Sequence, residues 1–159
     1  MLQAVDISRG LALDVIGDVL LGVRRLLQRP GYRERFFAAL DPTILPGTLR
    51  AVRAVQRATQ EEPSLGDVAR ILALDASTAS RLVEQGVRAG YLTRSTSSSD
   101  QRRSVLQLRP EGEELLRRAD DARRSLLADL TEQWTTKDVV ALADLLERLV
   151  EELDEFDST

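Results

Sequence analysis

Cysteine and histidine are both absent from this 159-residue chain, and lysine and tryptophan occur once each, as Lys137 and Trp134. Without cysteine there is no disulfide framework, no thiolate nucleophile, no zinc–cysteine site and no thiol redox switch. Without histidine the commonest general base, the commonest transition-metal ligand and the usual near-neutral pH switch are missing as well. Enzyme chemistry would have to rest on carboxylates, tyrosine, serine, threonine or Lys137. Adjacent carboxylates such as Glu113 and Glu114 are better explained by the polarity of a helix start than by acid–base work. No catalytic residue, metal or cofactor is therefore expected. Also lacking is any apolar run near the ~20 residues that span a bilayer. The opening MLQAVDISRG has no basic segment leading into an apolar stretch. A cytoplasmic chain with no membrane partner is the expectation.

What is present suits a folded protein: 43% of residues are apolar and 30% charged, too hydrophobic for a disordered chain. The length allows one compact domain, or a small domain with helical extensions that need a partner to cover their apolar faces. Net charge is −4, which taken alone disfavours a nucleic-acid partner. Its distribution reverses that argument. Residues 76–109 carry six arginines against two acids, a local balance of +4, while residues 110–159 carry fifteen acids and six bases, a balance of −9. An acidic body with one basic segment is the footprint of a protein that turns a limited surface toward phosphate.

Periodicity places the elements. Ala12, Val15, Ile16, Val19, Leu20, Val23, Leu26 and Leu27 recur at three- and four-residue spacing and predict an amphipathic helix, which Pro30 and Gly31 should end. Pro42, Pro46 and Gly47 mark a boundary, after which TLRAVRAVQRAT predicts a second helix. Ser64 is a good N-cap for LGDVARIL. Asp75 can cap ASTASRLVEQGVRAG, which stops at Gly90 in the position of a helix C-cap. Two short helices joined by a tight turn at 73–75 form a helix-turn-helix pattern, weak by itself because many core helix pairs look the same.

The following segment sharpens it. YLTRS, STSSSDQ and RRSVLQLR read as strand, polar tip and strand, with Leu106 and Leu108 alternating with Gln107 and Arg109. A β-hairpin directly after a helix-turn-helix makes a winged helix. Pro110 then opens a long helix with Glu111, Glu113 and Glu114 at its positive end, and a last helix carries Val139, Leu142, Ala143, Leu146, Leu149, Val150 and Leu153. The expected fold class is mainly α with a small β-hairpin wing (α+β). Residues 41–109 form a winged helix-turn-helix domain. Residues 1–40 and 110–159 form a helical region whose apolar stripes either pair across a two-fold axis in a homodimer or fold back on their own domain.

From Leu45 to Leu116 the order and spacing of these elements resemble the MarR (multiple antibiotic resistance regulator) family. The most specific part is the wing, DQRRSVLQLRPEG, where the family pattern is Asp-x-Arg, a strand, then Leu-Thr-x-x-Gly. Asp100, Arg102, Leu108 and Gly112 match it in register. Three features depart from it. Arg109 replaces the Thr after the strand, Thr48 and Leu49 stand where Gln and an aromatic residue are common, and Pro46 lies near the usual capping Thr. The resemblance implies a sequence-specific regulator that binds double-stranded DNA as a homodimer on a pseudo-palindromic operator. It further implies a repressor released by a small aromatic or anionic effector bound between the dimerisation helices and the reading domain. Tyr32, Tyr91 and Trp134 are expected to be packing residues, and no effector-binding residue is assigned.

A recognition helix reads base edges with residues near its N-terminus, the region of Ser77, Thr78, Ser80 and Arg81. Hydroxyls can bond phosphate or a base, and Arg81 has two donors for guanine; the alternative for the hydroxyls, Ser77 above all, is helix capping. By resemblance Arg102 enters the minor groove. Asp100 orients an arginine there or forms the turn. Arg94 and Arg103 contact flanking phosphates or are simply solvated. The competing reading is a winged-helix module that binds protein rather than DNA through its acidic terminal helices.

Overall fold

The computed structural model describes residues 9–40, 43–59, 61–97 and 104–157. The chain divides into two units, Met1–Ala122 and Arg123–Thr159. The first begins with α1, Arg9–Gln28, and α2, Pro30–Leu40. Pro30 separates them because a proline has no N–H to donate and its ring collides with a preceding helical turn, yet its fixed φ suits a first helical position. It is thus a start as well as the expected stop. α2 turns Phe36 and Leu40 into the core, with the Phe36 and Phe37 rings edge to face at 5.2 Å.

Helix α3, Pro46–Arg57, lacks a side-chain cap at Leu45 and relies on the proline in its first turn. Thr48, Ala51, Val52, Ala54 and Val55 form its buried stripe. α4, Leu65–Leu72, starts with a full capping box: the Asp67 amide donates to Ser64 Oγ and the Ser64 amide donates to Asp67 Oδ2. Two amides that a helix start leaves without partners are satisfied in this way. Leu74 N–H returns to the Ala69 carbonyl across Ala73, which takes the left-handed conformation at φ 50°. α5, Ala76–Arg88, is capped by Asp75. It ends in a Schellman arrangement, Tyr91 N–H to Gly86 O and Gly90 N–H to Val87 O, with Gly90 at φ 79°.

Strands β1, Leu92–Thr96, and β2, Ser104–Leu108, pair antiparallel in the register Leu92↔Leu108 to Thr96↔Ser104. The segment entering α4 joins the other edge of β2, where Ser64 bridges Val105 and Leu106 N–H donates to Pro63 O at 2.8 Å. With neighbours on both sides, Val105 and Leu106 are both buried, a departure from strict alternation. Val52, Val68, Val83, Leu92, Leu106 and Leu116 are the large side chains at the centre of this core. The last comes from α6, Pro110–Leu130, which buries Gly112, Leu115, Leu116, Ala119 and Ala122.

The second unit holds the end of α6 and α7, Thr136–Asp157, whose start is boxed by Thr135 and Asp138. In the single chain α1 has no buried residue. Its Leu11 is 58% exposed, and on α7 Leu145 is 61% and Phe156 84% exposed. The apolar stripes of both terminal helices are thus largely exposed. No helix of the described residues is long and apolar enough to cross a membrane.

Candidate nucleic-acid interface

α5 carries four of the sequence-predicted site residues, and its seat is tight on both sides. A Cβ at Gly86 would meet Leu92 Cδ1 at 2.8 Å, so the absence of a side chain there lets the helix settle on the root of β1. Its buried face presents Ala79 and Val83. Arg81 lies on the opposite, exposed side and has no partner among the described residues. An unpaired guanidinium one turn into such a helix is free to offer two parallel donors.

Ser77 and Thr78 are engaged. Ser77 Oγ donates to Asp75 Oδ1 at 2.6 Å, Thr78 Oγ1 donates to Asp75 Oδ2 at 2.7 Å, and the Thr78 amide donates to Asp75 Oδ1 at 2.9 Å. These bonds, led by the Ser77 hydroxyl, hold the Asp75 carboxyl well below the usual carboxylate range. Asp75 is the helix cap, and the Ser77 and Thr78 hydroxyls donate to it rather than accepting a backbone amide themselves. Ser80 Oγ reaches Glu84 Oε1 at 3.4 Å, a long contact that leaves the hydroxyl nearly free to turn.

In the wing, Arg94 Nε donates to Ser104 Oγ at 2.6 Å across the strand pair. Its partner in register is Leu106, so this is a diagonal contact that aligns the arginine along the sheet. The guanidinium stays exposed. At the outer end of β1 the buried Ser97 hydroxyl donates to Glu62 Oε2 at 2.5 Å, fixing the outer part of the strand to the segment before α4. Asp100, Arg102 and Arg103 fall outside the described residues.

Two features had no sequence signal. Arg53 of α3 grips Asp120 of α6 with both ends of its guanidinium, Nη2–Oδ1 at 2.5 Å and Nη1–Oδ2 at 3.0 Å, with Arg53 only 18% exposed. Sixty-seven positions separate the two residues. An open cavity of about 510 Å³ lies between the start of α3 and the end of α5, with Ile44, Leu45, Thr48, Gln85, Arg88 and Tyr91 on its walls. Tyr91, expected to be a packing residue, thus borders a space, and Trp134 is half exposed. Among the described residues no group of three or more acidic, histidine or cysteine side chains is placed to hold a metal.

This architecture, a winged helix-turn-helix with long helices before and after it in the chain, is the fold seen in solved MarR-family regulators. A MarR family protein from Bacillus stearothermophilus matches with a TM-score of 0.74 at 18% identity, over 92% of this chain and 99% of that one. A MarR transcriptional regulator from Methanosarcina mazei matches with a TM-score of 0.70 at 17% identity, over 90% and 99%. A mutant of S. aureus MepR bound to an oligodeoxyribonucleotide matches with a TM-score of 0.58 at 15% identity, over 87% and 97%. No family model matches the sequence, and no curated protein does.

Proposed function

We propose that this protein is a DNA-binding transcription regulator of the MarR type, acting without enzymatic chemistry. The observation that carries the reading is Arg81, exposed and without a partner among the described residues, on the outer face of the second helix of a winged helix-turn-helix. Arg88 and Arg94 are exposed beside it in chain order. α5 enters the major groove, Arg81 bonds guanine O6 and N7, and Arg94 meets a phosphate. Arg102 of the wing enters the minor groove, with Asp100 orienting it and Arg103 on a flanking phosphate. The S. aureus relative bound to an oligodeoxyribonucleotide supports this use of the fold.

The regulator works as a homodimer on a pseudo-palindromic operator. Residues 41–109 read the DNA, and residues 1–40 and 110–159 hold two copies together. Apolar side chains exposed along the 20 residues of α1 and the 22 of α7 exceed what a monomer leaves in water, and a second copy supplies a matching surface by symmetry. A small aromatic or anionic effector releases the repressor. The cavity beside Arg88 and Tyr91 has the size of a small-molecule site and borders the C-terminal end of α5 on the reading domain itself.

Binding of the full chain to duplex fragments of its source genome, measured at low and at physiological salt, tests the reading. Specific retention of a fragment, weakening as salt rises because counterions are released, is expected. No retention at either salt sinks the DNA-binding reading and leaves the protein-binding module.

A further inference from the structure

The start of α5 has a polarity that decides which base edges it can read. Asp75 Oδ1 takes the Ser77 hydroxyl proton and the Thr78 amide proton, and Oδ2 takes the Thr78 hydroxyl proton. An ionised carboxylate has no proton to give, so the direction of both hydroxyl bonds is fixed: Ser77 and Thr78 donate inward. What each hydroxyl still offers to an incoming molecule is lone pairs. Asp75 has lone pairs too. Turning a hydroxyl proton outward would replace a charge-assisted bond with a neutral one about half as strong.

Hydroxyls that offer only lone pairs find no match in the acceptors of guanine, O6 and N7, or in thymine O4. The major-groove donors are the exocyclic amino groups of adenine N6 and cytosine N4. Every base pair carries one such group, on one strand or the other, so acceptors at a fixed place distinguish amino bases from keto bases on the strand they face. Arg81, one turn further along α5, is a donor alone and reads the opposite pattern. We propose that Asp75 is the specificity-determining residue of this helix: by holding both hydroxyl protons it makes Ser77 and Thr78 acceptors that select adenine or cytosine over guanine or thymine in each half-site. This rests on the DNA-binding reading and goes beyond it, because binding alone requires no particular base at these positions.

The test is selection of bound duplexes from a randomised pool by the full-length chain and by variants. Ser77→Ala and Thr78→Val identify the positions concerned, as those where the base preference disappears. At these positions the unaltered protein should favour adenine or cytosine over guanine or thymine by roughly tenfold, the low end for a good base contact. Asp75→Asn keeps an oxygen for the Thr78 amide but presents an NH2 group where Oδ2 accepts. The Thr78 proton is then released outward, and the preference there should fall toward parity while the guanine position read by Arg81 is unchanged. Asp75→Ser, another good helix cap, should do the same if Asn proves too unstable. Guanine or thymine selected by the unaltered protein at these positions overturns the proposal, as does a preference that survives both Asp75 variants. Failure of the unaltered protein to enrich any sequence overturns the DNA-binding reading itself, whereas enrichment with the wrong bases removes this inference alone.

Discussion

A methyl group added at Gly112 would fall inside contact distance of the Tyr91 carbonyl oxygen and 3.3 Å from Leu108 Cδ2. The obstacle is backbone, and that same carbonyl accepts the Arg109 amide at 3.0 Å, so it cannot move aside without losing a hydrogen bond. Gly112→Ala should therefore destabilise the fold by about 1–3 kcal/mol, the usual cost of overpacking. Thermal melts of the purified variant check this, and an unchanged melting temperature would mean the junction is looser than described. The sequence pointed to Gly112 only through its match to the wing pattern; the reason it is glycine lies in a neighbour more than twenty positions earlier in the chain. Asp75 shows the reverse. Its capping role was legible from residue type and place, but its hold on two hydroxyl protons needed coordinates, because a dihedral change in any of three side chains would undo it.

Among the elements, the terminal helices carry the heaviest exposed apolar load. Deleting residues 136–159 removes the whole of α7, and if two copies meet through these helices the shortened chain should lose the dimer and sediment as monomer or aggregate. A truncated chain that remains a soluble dimer with intact DNA binding would reject that use of α7. Where side chains repeat strongly, the sequence located elements closely: the stripes of α1 and α7, Ser64 before α4, Asp75 before α5, and Pro110 at the start of α6 all stand where periodicity and capping put them. α2 was not anticipated. Its eleven residues bury only Phe36 and Leu40, too few to declare a period, and Pro30 reads as a terminator when seen only from its N-terminal side. The Arg53–Asp120 pair was equally invisible, since both residues sit on solvent-facing positions of their own helical patterns and only packing of α3 on α6 brings them together. Of the expected DNA contacts, the structure places Ser77, Thr78, Ser80, Arg81 and Arg94, while the wing-tip residues Asp100, Arg102 and Arg103 lie outside the described residues.

At the scale of the molecule, charge is partitioned: a net −4 overall conceals a positive segment followed by a strongly acidic helical region. On the DNA-binding reading, the basic segment attracts phosphate while the acidic residues that follow it in the chain repel it. Arg102→Ala should cost about 1–3 kcal/mol of operator binding per site and flatten the dependence of affinity on salt, because fewer counterions are released. Folding should be unaffected. Titrations at several salt concentrations beside thermal melts check both parts, and a lower melting temperature with normal affinity would make Arg102 a structural partner of Asp100 instead. The junction around Tyr91 has a further consequence for anyone assembling hybrid regulators. Tyr91 is tied backward to Gly86 and forward to Arg109, its carbonyl lies close against Gly112, and Pro63 and Ser64 are stitched to β2. On the DNA-binding reading, a transplantable cassette therefore keeps Pro63 through Gly112 together with α3, whose Val52 lies in the same core, and a cut at the visible ends of the recognition helix and hairpin would divide it through its fastenings.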